Sequence, residues 1–158
     1  MTDSWSWSDI EGEVKPRTAT VDLCIDGTIQ SQLEQAEKRL REARKDDSSD
    51  SGAADLQAEV DRLRDEAQAA TRTFEVVATS HRRWRELLTE HRSDDPQYRY
   101  DVETFLPAAF AECVVQFDSP EQVVKAQEML TTGQVTKLTS AVLSVNEGDD
   151  AVPLRRGR

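Results

Sequence analysis

The spacing of hydrophobic positions changes along the chain, and each change marks a new element. Residues 18–25 alternate: Ala19, Val21, Leu23 and Ile25 fall on one face, Thr18, Thr20 and Asp22 on the other. A period of two predicts a half-buried strand. Asp26-Gly27 then turns the chain, and the spacing becomes four–three through Ile29, Leu33, Ala36, Leu40 and Ala43. That is the seam of a two-helix coiled coil. The run from Asp46 to Gly52 is a polar loop, after which the seam resumes at Leu56, Val60, Leu63, Ala67 and Ala70. Two matched seams across a short loop predict an antiparallel helical hairpin. The hairpin returns the chain to its starting end. There residues 71–78 alternate again, with Phe74, Val76 and Ala78 on one face, and they are expected to pair antiparallel with the first strand.

The rest of the chain has helical spacing. Ser80 can cap a helix from His81 to about His91 with Trp84, Leu87 and Leu88 as its apolar stripe. After a loop at Ser93–Arg99, Asp101 can cap a segment in which Val102, Phe105, Leu106, Ala109, Phe110 and Cys113 recur at helical intervals. Pro107 is expected to bend that helix or delay its start, because it lacks an N–H. Ser119-Pro120-Glu121-Gln122 reads as a capped start with proline at the first position and glutamine in place for a capping box. Thr132-Gly133 breaks and restarts the chain before a last helix carrying Val135, Leu138, Ala141, Val142 and Val145.

These elements predict a mainly α chain with a small β element, an α+β protein. A two-stranded antiparallel ribbon, connected by an antiparallel coiled-coil hairpin, precedes a C-terminal bundle of three to four helices. The expected segments are 1–17 extended, 18–79 strand–hairpin–strand, 80–147 helical, and 148–158 a flexible basic tail. An isolated two-stranded ribbon is marginal in water. The C-terminal helices, or strands of other subunits, must therefore cover it.

Composition narrows the function. The formal charge is −11, and hydrophobic residues make up only 37% of the chain. Average chains carry roughly 45–50% apolar residues, so the core is modest and part of the chain is arm or tail. An acidic surface repels phosphates, which disfavours duplex nucleic acid as a partner. Cys24 and Cys113 each sit in an apolar stretch without a second ligand at metal spacing, and read as buried thiols in a reducing compartment. No run of ~18 apolar residues spans a membrane. The polar start with its two tryptophans is not a secretory signal.

The search for chemistry finds no catalytic set, no metal set and no cofactor site. His81 and His91, ten residues apart on one helix, point roughly 80° away from each other at ~100° per residue, poor geometry for a shared metal. Glycines are isolated turn residues, and the acid pairs Asp46-Asp47, Asp94-Asp95 and Asp149-Asp150 lie in expected loops. Two features carry competing readings. Trp5 and Trp7 either fold back on the domain or anchor a partner. In the basic cluster Arg82-Arg83-Trp84-Arg85, either Trp84 faces the core while the arginines pair with acids such as Glu86 and Glu90, or the cluster grips a carboxylate or a nucleobase.

The order of the pieces resembles a family. Trp-Ser-Trp-Ser-Asp-Ile at 5–10, Arg-Thr-Ala-Thr-Val-Asp-Leu-Cys at 17–24, and Ala-Thr-Arg-Thr-Phe-Glu-Val at 70–76 flank the charged hairpin. Arg-Arg-Trp-Arg-Glu-Leu-Leu-Thr-Glu-His at 82–91, Asp-Val-Glu-Thr-Phe-Leu-Pro-Ala at 101–108, Glu-Cys-Val-Val at 112–115 and Leu-Thr-Thr-Gly-Gln-Val at 130–135 follow. The run resembles tail assembly chaperones of long-tailed actinobacteriophages and their prophage relatives. The resemblance spans most of the chain, through short motifs tied to packing.

The resemblance implies a non-enzymatic protein of the bacterial host cytoplasm, absent from the mature virion. Such a protein binds the tape-measure protein, keeps it soluble and helps recruit tail-tube subunits; self-association is a further expectation. Val135 and Leu138 stand where relatives more often carry bulkier aromatic groups. The expected protein-binding residues are Trp5, Trp7, Arg82, Arg83, Trp84, Phe105, Phe110, Val135 and Leu138. The alternatives are a structural tail-completion or connector component of the virion, suggested by the open-edged ribbon, and a coiled-coil adaptor protein.

Overall fold

The structure, a computed structural model, describes residues 4–46 and 50–148, leaving aside the side chains of Asp50 and Ser51. The described chain is mostly helical with one small two-stranded antiparallel sheet, an α+β protein. It divides into two compact units, one within residues 22–73 and one formed by residues 4–21 with 74–148.

Strands β1 (Thr18–Cys24) and β2 (Thr71–Val77) form the sheet. The Ile25 amide donates to the Ala70 carbonyl and the Ala78 amide to the Arg17 carbonyl, so partners advance in opposite directions. Between them the Thr73 hydroxyl donates to Asp22 at 2.6 Å. Leu23 is buried, as the alternation requires, whereas Ile25 is 55% exposed. The reason is that β1 ends at Cys24 and Asp26 already caps the next helix, accepting from the amides of Thr28 and Ile29. Asp26-Gly27 is thus a helix start, with the Asp26 side chain satisfying two orphan N–H groups.

In the 22–73 unit, helices α2 (Gly27–Lys45) and α3 (Asp50–Ala69) pack together. Ala36, Leu40, Val60 and Leu63 form a buried cluster, joined by Leu33 and Leu56. These are the four–three seam positions, because that spacing keeps a narrow stripe on one helix face. Each fully buried leucine or valine contributes roughly 1.5–3 kcal/mol. On the solvent side Arg64 reaches Glu37 and Arg44 donates to Gln57, so contacts run back along α3 as they run forward along α2. α3 begins at Asp50, inside the expected loop, and residues 47–49 lie outside the described residues.

The other unit begins with a turn of helix, α1 (Trp7–Ile10), where an extended segment was expected. Ser6 and Asp9 explain it: Asp9 accepts from the Ser6 amide at 2.7 Å and from its hydroxyl at 3.0 Å, closing a local cap. These bonds, the backbone one foremost, hold the Asp9 carboxyl below its ordinary pKa.

Helix α5 (Val102–Cys113) packs against α4 (His81–Glu90), α6 (Pro120–Met129) and α7 (Thr132–Glu147). It buries Phe105, Leu106, Pro107, Ala109, Phe110 and Cys113, so it is apolar nearly all round. Pro107 sits inside the helix without delaying its start at Val102; its ring is packed in the core. The caps follow the sequence at Ser80, Asp101 and Ser119. Gln122 accepts from the Asp118 amide one residue before the cap, not from the cap itself. The last break falls at Leu130-Thr131: Thr131 caps α7 in a full capping box with Gln134, and Thr132-Gly133 is the first turn of that helix.

The far edge of β2 meets the end of α5. Val76 bridges Val114, the Val115 amide donates to the Glu75 carbonyl, and the Glu75 amide donates to the Gln116 side chain. Asn146 on α7 ties the same region together. Its Oδ1 accepts from the Thr79 amide at 2.9 Å, and its Nδ2 donates to the Cys113 sulfur at 3.3 Å and to the Val142 carbonyl at 2.8 Å. Burial pushes the Cys113 thiol pKa up, and the Asn146 donor opposes it.

The basic tail expected after residue 148 lies outside the described residues. No helix among the described residues is long and apolar enough to cross a membrane.

Candidate functional site

The expected site residues separate into core and surface. Trp84 is 4% exposed, set edge-on against Phe105 at 5.4 Å, and its indole N–H donates to Glu147. Phe105, Phe110 and Leu138 are also buried. Trp84 thus follows its core-facing reading, and Phe105, Phe110 and Leu138, expected among the protein-binding residues, also lie in the core, because helical spacing puts them on the faces that meet α5 and its neighbours. A partner cannot reach them without opening the fold.

The arginines of α4 are committed to carboxylates. Arg83 Nε donates to Glu112 at 2.7 Å, and its guanidinium also reaches Glu86 and Glu90. The Glu112 hydrogen bond, with its charge, raises the Arg83 pKa further above an already high value. Arg82 lies 3.5 Å from Glu86 one turn along. Such exposed pairs orient side chains more than they stabilise the fold. The cluster is therefore a charge-neutralised helix face, with Arg85 in no ion pair among the described residues.

Trp5 and Trp7 are 67% and 61% exposed, so neither folds back onto the domain. Tyr98, Val102 and Met129 add further exposed apolar surface. None of these three was singled out for partner contact. Val102 shares the helical period of α5, but its place in the first turn, beyond the end of the core, leaves it open.

Val135 lines a cleft of the C-terminal helices. This cleft, of about 470 Å³, runs between Val102 and Leu106 of α5 and Val135, Thr136 and Thr139 of α7, with Leu130 at one end. A second cleft of about 360 Å³ shares Tyr100 and Val102 and continues to Tyr98 and Leu143. The two form one trough. Its α7 wall exists because Leu138, Val142 and Val145 turn inward, which leaves 135, 136, 139 and 143 on another side of the helix.

Among the described residues, no group of three His, Cys, Asp or Glu side chains stands ready to hold a metal, and no polar or charged side chain is buried. His81 is exposed, and His91 packs edge-on to Phe105 at 6.3 Å. Asp95 serves its own turn, accepting from the Gln97 amide.

Comparison with protein-family models, with curated proteins and with solved structures gives no match.

Proposed function

We propose that this protein is a tail assembly chaperone of a long-tailed phage or prophage, acting without catalysis in the host cytoplasm. It binds the tape-measure protein, keeps it soluble and helps bring tail-tube subunits to it. The observation that carries the reading is apolar surface held open on an acidic chain. Trp5, Trp7, Tyr98, Val102 and Met129 are each more than half exposed on a protein of net charge −11. Isolated apolar side chains on a surface are ordinary, but aromatic anchors in number mark partner contacts. The ordered run of family-like motifs supplies the particular role. In this reading α2 and α3 form an antiparallel coiled-coil arm, the C-terminal helices form a bundle, and charge on both keeps a hydrophobic client in solution.

Co-expression with the tape-measure protein encoded next to it tests the proposal. The expected result is a soluble complex and a larger soluble fraction of the client. Absence of both refutes it.

The two-stranded sheet favours a second reading, a structural tail-completion or connector component. With the outer edge of β2 met by residues 114–116, the outer edge of β1 is the one that another subunit can extend. Mass spectrometry of purified virions separates the two: many copies per particle favour the structural component, none the chaperone.

A further inference from the structure

The trough between α5 and α7 has properties that exposed apolar surface alone does not imply. From Thr132 to Leu143 its α7 wall runs about 16 Å at about 1.5 Å per residue, the length of three helical turns. Among the described residues the larger cleft is lined without a charged side chain. Its floor is aliphatic at Leu106, Leu130 and Val135, while Thr136, Thr139 and Ser140 keep its α7 wall low enough for another backbone to approach.

Arg99, which lines the smaller cleft, is paired with Glu147, and the other charges adjoining the lining are mostly acidic. Asp101 and Glu103 flank Val102, Glu128 follows Gln127, and Lys137 follows Thr136, all exposed. Glu103 and Glu128 enter no ion pair among the described residues. An apolar trough of helical length with an acidic rim complements an apolar stripe flanked by lysine or arginine.

We infer that this trough seats an amphipathic helix of a partner protein, with apolar residues at i, i+3, i+4 and i+7 on the floor and basic residues over the Glu103 and Glu128 rim. The inference deepens the proposed chaperone function by naming a binding surface and the chemistry of its occupant, and rests on that function only for which protein supplies the helix. Small residues at 136, 139 and 140 let the seated helix lie close to α7, the arrangement that ridges-into-grooves packing requires. The acidic rim sets which helices enter and how their binding responds to salt.

The test uses the full chain and a fluorescein-labelled model helix about 14 residues long, some four turns at about 3.6 residues each. The probe carries leucine on one stripe and lysine and alanine elsewhere; a second version replaces lysine by glutamate. Fluorescence anisotropy should show the lysine version binding and the glutamate version binding at least about tenfold more weakly. Thr136→Trp and Ser140→Trp, two exposed positions where a neutral bulky group fills the trough, should each weaken the lysine peptide about tenfold. Glu103→Gln with Glu128→Gln should lower affinity in dilute salt and flatten its salt dependence.

Equal binding to the parent and to both filled variants overturns the inference. So does equal binding of the two peptides. Self-association that both tryptophan variants abolish would assign the trough to a second copy instead. Binding by a chain ending at Gly148 but not by the full chain would assign it to this chain's own last residues. Failure of the parent to solubilise the tape-measure protein strikes the proposed function and leaves the peptide result standing. Failure of the variants to discriminate strikes the trough and leaves the co-expression result standing.

Discussion

Removing the Asn146 side chain isolates one polar junction of the helical unit. Asn146→Ala deprives the half-buried Thr79 amide of its acceptor, removes a donor from the Cys113 sulfur, and removes a second donor from the Val142 carbonyl. The Val142 carbonyl keeps its helical partner inside α7, so its loss is small. The bond to sulfur is weak, worth ~0.5 kcal/mol. The orphaned amide dominates at about 1–2 kcal/mol, since a buried donor without an acceptor loses its hydration with no return. The sum is ~2 kcal/mol, a fall in Tm of about 4–8 °C for a chain of this size. Urea unfolding followed by circular dichroism measures the stability, and amide hydrogen exchange at Thr79 locates the effect. Ser144→Ala, an exposed site on the same helix, is the control and should stay within about 0.5 kcal/mol. If Asn146→Ala matches that control, or if Thr79 exchange is unchanged, the junction is not what holds β2 to α5 and α7.

Three further outcomes follow from the same contacts. Leu63→Ala, in the α2–α3 cluster, should cost about 2–4 kcal/mol in urea unfolding, and half-buried Leu56→Ala clearly less. Burial raises the Cys113 pKa, so the unfolded thiol ionises first: the stability tied to the neutral thiol is whole below its unfolded value near 8.5 and declines as pH rises past it. The parent should therefore lose stability relative to Cys113→Ala between about pH 8 and pH 10, and native alkylation of Cys113 should be slow. Gly148 ends α7 at φ 54 and ψ 127, where a side chain is strained and its Cβ would also meet the Arg17 guanidinium. Gly148→Ala should cost about 1–2 kcal/mol by thermal melting, and a neutral result would refute the strain.

Much of the local structure was legible in sequence because it depends on neighbours in the chain. The four–three spacing from Leu33 to Leu63 marked the residues that cluster between α2 and α3. The side chains of Ser80, Asp101 and Ser119 each accept from an amide two or three residues on. Local chemistry also departs from pattern in places: the Ser6–Asp9 cap turns a segment whose alternation reads as extended, and Gln122 bonds one residue away from its expected partner.

The sequence by itself determined the periods, the caps and the acidic balance, since each follows from residue types a few positions apart. Only the tertiary structure decided which apolar residues remain outside. Periodicity marks an apolar face without saying whether the chain itself covers it. Phe105, Phe110 and Leu138 were covered, Trp5 and Trp7 were not, and Val135 came to line a trough shared with α5. That assignment depends on how α5 and α7 meet, and the junction at Asn146 joins residues 67 and 33 positions apart, beyond the reach of any local pattern.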